Sequence, residues 1–252
     1  MEIFSKIIEF RDKNIPFVFC TIIESRGSVP AVSGSKMIVL SDGSSFGTIG
    51  GGMVEYEAIK YCSEVLRMKK VARKKYDLTN DLGMACTGIV EVFFEPFFPD
   101  AKLYIFGAGH VGKEIAGFAS EFDFDITLID NREKILKDIS LKGISVLHGD
   151  YNKIIDDVDF SGDSYVVIVS HNREYDEVIL KKMLTKELKY LGMMGSKKKV
   201  TDIRNRILGE GLISENKLNN VKMPIGFNLN TITPKEIAIS VVAEIIDVKN
   251  SK

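Results

Sequence analysis

The chain has 252 residues and a formal net charge of −1, with 45% hydrophobic and 27% charged residues, values that are typical of a folded globular protein. The near-zero charge argues against a non-specific nucleic-acid-binding protein, which is normally basic, but is compatible with a local phosphate site. No apolar run is long enough to span a bilayer and the N-terminus lacks the pattern of a signal peptide, so we expect a cytoplasmic protein without a membrane partner.

The sequence changes character near residue 99. Pro96 and Pro99 lie close together there, and proline disfavours both helix and interior strand. Short strands, a hairpin and one clear helix precede this point, whereas strands alternate with helices after it. The pattern predicts an α/β protein of two domains. Residues 1–98 form a small α/β domain whose sheet is mainly antiparallel, and residues 99–252 form a Rossmann-like domain whose sheet is parallel.

In the first domain, the apolar spacing of Ile3, Phe4, Ile7 and Ile8 predicts a helix. Apolar and β-branched runs predict strands, and the Asp-Gly pair at Asp42 between two of them is typical of a β-hairpin. The predicted strands are 17–23, 36–40, 46–49, 71–76 and 89–94, and the predicted helix after the triple glycine is 53–68.

In the second domain, strands and helices alternate, which predicts βαβ units. The last helix has a clear start signal, because Thr233 can cap it, Pro234 fits its first turn and Glu236 completes a capping box. The predicted strands are 103–106, 126–129, 145–147, 165–169 and 190–191, and the predicted helices include 111–121, 174–186 and 237–248.

A glycine motif of the form G-x-G-x-x-G, made by Gly107, Gly109 and Gly112, follows the first strand of this domain and opens a helix. The acidic residue Asp130 ends the next strand, 18 positions beyond Gly112. This context predicts nucleotide binding, with the diphosphate at the helix N-terminus and with Asp130 accepting hydrogen bonds from a ribose and repelling a 2′-phosphate. The alternative is a Rossmann-type domain that keeps the turn and binds no dinucleotide.

Parallel strands place the residues that follow them at one edge, where ligands of such sheets bind. His171 follows the fourth strand and is expected either to transfer protons or bond a phosphate, or to cap the following helix. The lysines 197–199 follow the fifth strand and form either an anion site at a helix N-terminus or a solvated face. The candidate ligand-binding residues at this edge are Gly107, Gly109, His110, Gly112, Asp130, Ser170, Gly195 and Ser196.

The first domain has its own candidates. The triple glycine Gly50-Gly51-Gly52 exposes N–H donors where a helix begins, and Glu55 follows it; a tight strand-to-helix turn is the plain alternative. Cys86 lies among small residues at the start of a strand, where an accessible thiolate can act as a nucleophile or a metal ligand. Cys20 and Cys62 lie in apolar patterns typical of a core. Three widely spaced cysteines predict neither a disulfide framework nor a zinc site.

Taken together, segments of both domains resemble the xanthine dehydrogenase accessory factor family (XdhC/CoxI). The resemblance covers nearly the whole chain in order, through 24–30, 50–55, 83–86, 106–112, 170–172, 192–196, 224–226 and 233–238. It implies an XdhC-type domain followed by a Rossmann domain, and a role in the maturation of molybdenum hydroxylases. It further implies binding of molybdenum cofactor (molybdopterin), exchange of an oxo for a sulfido ligand, and two partners, a cysteine desulfurase and a xanthine dehydrogenase-type apo-enzyme.

Two positions depart from the family pattern, since Met53 stands where the family often has cysteine and Thr87 where it often has glycine. A mechanism that needs two cysteines is therefore in question, and Cys86 is the single candidate for sulfur or molybdenum contact and, with His171, for catalysis. We expect an accessory factor, as a cofactor-maturation chaperone rather than a stand-alone enzyme, and a homodimer. An NAD(P)-dependent oxidoreductase and a nucleotide-sensing regulatory module are the alternatives, with NAD(P) or another nucleotide as ligand.

Overall fold

The computed structural model describes residues 2–29, 32–78, 88–137, 139–211 and 213–251. The chain divides into two compact units, Met1–Pro99 and Asp100–Lys252. It is an α/β protein with an antiparallel sheet in the first unit and a parallel sheet in the second. Among the helices of the described part, none is both long and apolar enough to cross a membrane.

The first unit is built on a five-stranded antiparallel sheet with the order β3-β2-β1-β5-β4. The predicted hairpin is confirmed: the carboxylate of Asp42 accepts a hydrogen bond from the Ser44 amide at 2.9 Å, and Gly43 supplies the positive φ that the turn requires. The elements are α1 (Glu2–Asp12), β1 (Phe17–Gly27), β2 (Lys36–Leu40), β3 (Ser45–Thr48), α2 (Gly52–Met68), β4 (Ala72–Asp77) and β5 (Gly88–Phe97).

The core of this unit forms where alternate residues of β1 meet one face of α2. Cys20 on the strand and Cys62 on the helix are both buried, with their Sγ atoms 3.5 Å apart. The prediction that both are core residues is confirmed. The contact with the Cys62 thiol, together with burial, raises the pKa of Cys20 far above its usual value, so this thiol is protonated and a poor nucleophile.

The second unit has five parallel strands in the order β10-β9-β6-β7-β8. The first two strands of the unit are neighbours, and the fourth strand lies on the other side of the first, so the direction of winding reverses between β6 and β9. The elements are β6 (Ala101–Phe106), α3 (His110–Ala119), β7 (Phe124–Asp130), α4 (Glu133–Lys137), β8 (Ile144–His148), α5 (Tyr151–Asp157), β9 (Tyr165–Ile168), α6 (Arg173–Met183), β10 (Tyr190–Met193), α7 (Lys197–Gly209), α8 (Glu215–Asn219) and α9 (Pro234–Asn250).

Both faces of this sheet are covered. On β6, Leu103 and Ile105 pack into a core that includes α3 and α9, whereas Tyr104 and Phe106 pack into a second core that includes α6 and α7. All four side chains are buried because successive residues of a strand point to opposite faces. The apolar run that predicted this strand is therefore continuous because each face of the strand packs into a separate core.

The start of the last helix is as predicted. The Glu236 carboxylate accepts a hydrogen bond from the Thr233 amide at 2.9 Å, the Thr233 hydroxyl accepts one from the Glu236 amide at 3.3 Å, and Pro234 lies in the first turn. The hydrogen bonds that its carboxylate accepts from the amides of Thr233 and Ile232 hold the pKa of Glu236 below its usual value. Two other helices end earlier than predicted: α3 ends at Ala119 and α6 at Met183, two and three residues before the predicted ends, whereas α2 ends at Met68 as predicted.

Candidate functional site

The predicted ligand-binding segments of the second unit all follow the carboxyl ends of parallel strands. We call this set the carboxyl edge and define it as the residues at and directly after the carboxyl ends of β6, β7, β8, β9 and β10. The topology therefore places the glycine turn, Asp130, Ser170, His171, Gly195 and Ser196 at one edge of one sheet. The reversal between β6 and β9 occurs beside the glycine turn, which is where ligands bind in doubly wound sheets.

The structure requires glycine at two of the three positions of the turn but not at the other. Gly107 has a φ of +119°, and a Cβ there would lie 2.4 Å from the Val169 carbonyl oxygen. A Cβ on Gly112 would lie 1.8 Å from the Gly107 carbonyl oxygen. Gly109 has an ordinary φ of −67°, and nothing lies within 4 Å of its Cβ position. The fold requires the first and third glycines, whereas the second faces open space that a phosphate can approach.

Gly109 is also the N-cap of α3, and no side chain caps this helix in the described part of the chain. His110, at the first position of the helix, is exposed. The helix N-terminus therefore offers N–H groups and the positive end of the helix dipole to an anion. By contrast, α5, α6, α7, α8 and α9 are each capped by a side chain, from Asp150, Asn172, Ser196, Ser214 and Thr233.

Asp130 is fully buried and its carboxylate is already occupied. Oδ2 accepts hydrogen bonds from the Ala108 amide at 2.7 Å and from Nη2 of Arg132 at 2.8 Å. Oδ1 accepts from the Arg132 amide at 3.0 Å and from Nε of Arg132 at 2.8 Å. Burial by itself raises the pKa of Asp130, but these bonds outweigh it and hold the pKa below its usual value. The carboxylate holds the glycine turn in place, and its predicted contact with a ribose stays a prediction.

Ser170 and His171 lie in the loop between β9 and α6. The Ser170 amide donates to Oδ1 of Asp176 at 3.1 Å, and the Ser170 hydroxyl donates to the Asn172 carbonyl at 2.9 Å. Asn172 caps α6 through its side chain, so His171 does not cap that helix. The His171 ring is exposed and lies 5.6 Å from the Tyr175 ring, at an angle of 61°. His171 is therefore accessible to a ligand, and its proposed catalytic role stays a prediction.

The lysine run 197–199 divides into two kinds of residue. Lys197 and Lys198 are exposed, whereas Nζ of Lys199 forms an ion pair with the buried Asp176 and donates to the Met194 carbonyl at 3.1 Å. The Ser196 hydroxyl accepts a hydrogen bond from the Lys199 amide at 3.2 Å. Lys199 thus joins α7 to α6 and to the end of β10. Neither of the two hypotheses for the lysine run, an anion site or a solvated face, predicted this role.

The triple glycine of the first unit forms a tight strand-to-helix turn. Gly50, Gly51 and Gly52 all have positive φ, of 110°, 71° and 63°. The Glu55 carboxylate folds back over the turn, where Oε2 accepts hydrogen bonds from the Ile49 amide at 3.2 Å and the Gly51 amide at 3.1 Å. The same oxygen accepts from the Thr48 hydroxyl at 2.5 Å. The Glu55 carboxylate therefore accepts hydrogen bonds from amides that the sequence analysis had proposed as donors to an external anion.

Cys86 lies within 79–87, outside the described residues, and its predicted contact with sulfur or molybdenum stays a prediction. Within the ranges that the structure does describe, no group of three or more His, Cys, Asp or Glu side chains is arranged to hold a metal ion. Among the described residues, the uncapped helix N-terminus at Gly109 is thus the candidate phosphate site.

Three residues next to Asp130 escaped the sequence analysis. Arg132 pairs with Asp130 through two side-chain nitrogens. Tyr151 is 2% exposed, and its hydroxyl has no hydrogen-bond partner in the described part of the chain; the same holds for Oδ1 of Asn131. The position of Arg132 two residues after the acidic residue was a usable signal, because an arginine there accommodates a phosphorylated ribose in some dinucleotide sites. No local pattern marks Tyr151.

Comparisons with known proteins agree with this architecture. A family model described as the XdhC Rossmann domain matches residues 103–245, and one described as the XdhC and CoxI family matches residues 10–77. A crystal structure of a protein described as a xanthine dehydrogenase from Bacillus halodurans has a TM-score of 0.56 and 21% identity, and the match covers 98% of this chain and 96% of that one. At that identity, the likeness shows the fold alone.

Two curated proteins are similar in sequence. The protein YqeB of Escherichia coli (strain K12), which is described as uncharacterized, is 33% identical over 257 residues, which covers 100% of this chain and 47% of that protein. A Bacillus subtilis (strain 168) protein, described as a probable subunit of xanthine dehydrogenase, is 23% identical over 159 residues, which covers 63% of this chain and 46% of that protein. The chain spans about half the length of these two relatives. It belongs to the XdhC and CoxI family.

Proposed function

We propose that this chain is an accessory factor that binds molybdenum cofactor and supports its sulfuration and insertion into a xanthine dehydrogenase-type molybdenum hydroxylase. The observation that carries the proposal is the match of both family models, to residues 10–77 and 103–245. The name of the Bacillus subtilis relative adds a link between such chains and a xanthine dehydrogenase.

The open side of the glycine turn is the part of the described structure that fits this cofactor. Molybdopterin carries a phosphate, and the uncapped N-terminus of α3 at Gly109 offers amide donors with free space in front of them. His171 and Ser170 lie at the same carboxyl edge and are candidates to contact the bound group. The cofactor supplies a metal centre that accepts sulfur, and Cys86 is our candidate for the thiolate that contacts it.

The partners in this proposal are a xanthine dehydrogenase-type apo-enzyme as client and a cysteine desulfurase as sulfur donor, as the family resemblance implies. We further propose a cytoplasmic homodimer, since closed symmetric dimers are the commonest soluble assemblies. The chain would then act as a carrier between partners rather than as a stand-alone enzyme.

Co-expression with an apo molybdenum hydroxylase tests the function. We expect more active, sulfurated client enzyme when this chain is present, and we expect molybdenum cofactor to co-purify with the chain, detected by mass spectrometry and by pterin fluorescence. Cys86→Ser should lower client activation while leaving most of the bound cofactor, because the phosphate contacts are elsewhere. Equal client activation with and without the chain would contradict the proposal.

Two glycines, the N-cap of α3 and one within that helix, provide a matched test of the phosphate site. Gly109 and Gly117 both have open space at the Cβ position, so the fold tolerates an alanine at either. We expect Gly109→Ala to reduce the co-purified cofactor at least about tenfold, since its methyl group enters the space in front of the amides. Gly117→Ala should retain it. Equal retention by the two variants would place the phosphate elsewhere.

A further inference from the structure

The Asp130–Arg132 pair changes which ligand the carboxyl edge can accept. An ionised carboxylate has about four acceptor positions. All four on Asp130 are used, three by Arg132 and one by the Ala108 amide. Asp130 is also fully buried. A ribose diol, which needs this carboxylate to accept two O–H groups, finds no acceptor there.

Arg132 keeps a second set of donors. A guanidinium group has a side-on edge, formed by Nε and one Nη, and an end-on edge, formed by both Nη atoms. The side-on edge is held by Asp130 at 2.8 Å on both nitrogens. The Arg132 side chain is 34% exposed. Its end-on edge therefore remains for a second bidentate contact, and phosphate is the group that this geometry suits.

The first residue of α5, Tyr151, carries a buried hydroxyl. Tyr151 is 2% exposed, and its O–H group makes no hydrogen bond within the described ranges. Burial and, to a lesser extent, the charge of Asp130 raise the pKa of Tyr151 above its usual value, whereas the backbone of Asn131 and the charge of Arg132 lower it, so the hydroxyl stays protonated. Oδ1 of Asn131, between the two paired residues in sequence, is likewise buried without a partner.

The same carboxylate connects Arg132 to the glycine turn. Oδ2 of Asp130 lies 2.7 Å from the Ala108 amide and 2.8 Å from Nη2 of Arg132. A ligand with its diphosphate at Gly109 therefore has its ribose within reach of Arg132. The charge of Asp130, which taken alone repels a phosphate on that ribose, is neutralised by the pair.

We propose that the Rossmann unit binds a nucleotide whose ribose carries a phosphate monoester, with that phosphate on the end-on edge of Arg132, and that it discriminates against the unphosphorylated ribose diol. The proposal rests on the phosphate-binding role of the glycine turn in the proposed function, and it adds a second ligand, which competes with the molybdenum cofactor for that turn. Arg132 is then a specificity-determining residue, and Asp130 is a positioning residue that holds it.

NAD⁺ and NADP⁺ are matched probes, because they differ by one ribose phosphate. We expect calorimetric titration of the full chain to give at least about tenfold tighter binding of NADP⁺, which corresponds to about 1.4 kcal/mol. Arg132→Gln should abolish this preference. Lys134→Gln, which removes an exposed cation two residues away, should keep it. Arg132→Lys retains the positive charge but not the two parallel N–H donors of the guanidinium group, so it should reduce the preference. This variant keeps the test decisive if Arg132→Gln fails to fold.

Equal affinities, tighter binding of NAD⁺, binding of neither nucleotide at millimolar concentration, or an unchanged preference in Arg132→Gln would each overturn the inference. Client activation by the wild-type chain is measured alongside. If activation persists while the two nucleotides bind equally, only the ligand class is wrong. If the NADP⁺ preference holds without client activation, only the proposed function is wrong.

Discussion

At the scale of single residues, Asp130 was correctly identified from the glycine motif, but the sequence analysis did not identify the side chain that pairs with it. Its position after the second strand of the Rossmann unit is evident from the sequence, and it lies at the carboxyl edge as expected. The partner that occupies it, Arg132, is only two residues away in the chain. Sequence spacing does not reveal this pairing, because it depends on the backbone conformation that follows β7, in which both the amide and the side chain of Arg132 reach the Asp130 carboxylate.

The same residue predicts a pH dependence of stability. The folded-state pKa of Asp130 lies below its usual value of 3.8. The pair therefore stabilises the fold above that pH, and the contribution is lost as the pH falls through the lower folded-state value. We expect Asp130→Asn to lower the free energy of unfolding by about 1–3 kcal/mol near neutral pH and by less in acid. Urea unfolding across this pH range measures the difference.

Glu121→Gln is the control for this prediction. Glu121 is an exposed carboxylate just after α3, so its replacement should change stability by less than about 0.5 kcal/mol at any pH in that range. If both variants show the same dependence on pH as the wild type, the Asp130–Arg132 pair does not contribute to acid unfolding.

At the scale of elements, the starts of several helices were predictable, whereas the links between helices were not. Thr233, Pro234 and Glu236 predicted the first turn of α9 because capping is a local interaction. The link between α6 and α7 depends on Asp176 and Lys199, which are 23 positions apart and meet only when both helices pack on one face of the sheet. A run of three lysines gives no indication that one of them is part of the interior.

Removing one partner of this link should be costly. Asp176 is 1% exposed and Lys199 is 25% exposed, so Lys199→Met leaves a buried carboxylate without its cation. We expect a loss of about 2–4 kcal/mol in the free energy of unfolding, measured with urea. Lys198→Met, a change of the neighbouring exposed lysine, should cost less than about 0.5 kcal/mol.

A second substitution checks the cause of that loss. In the Lys199→Met background, Asp176→Asn removes the uncompensated charge and should recover part of the stability. If Lys199→Met and Lys198→Met are equally mild, the ion pair contributes little and the packing of α6 on α7 is sufficient.

At the scale of the whole molecule, each of the two compact units has a core of its own. The first surrounds Cys20 and Cys62, and the second has two cores, one on each face of the parallel sheet. We expect residues 99–252, expressed alone, to fold and to give one cooperative urea transition by circular dichroism. A fragment that begins at residue 107 lacks β6, the central strand, and should not fold. A 99–252 fragment without a cooperative transition would contradict the proposed domain boundary.

The sequence by itself determined the α/β class, the antiparallel and parallel sheets, the family and the glycine turn at the carboxyl edge. These follow from the periodicity of apolar residues, from helix capping and from the spacing of motif residues, all of which are properties of residues near one another in the chain. Only the structure decided which partners these polar groups take: Asp130 pairs with Arg132, Asp176 pairs with Lys199, and Glu55 accepts hydrogen bonds from the glycine-turn amides of the first unit. Spacing in the sequence does not show these contacts, because they depend on distances of a few ångströms that the local backbone conformation and the packing of the elements set.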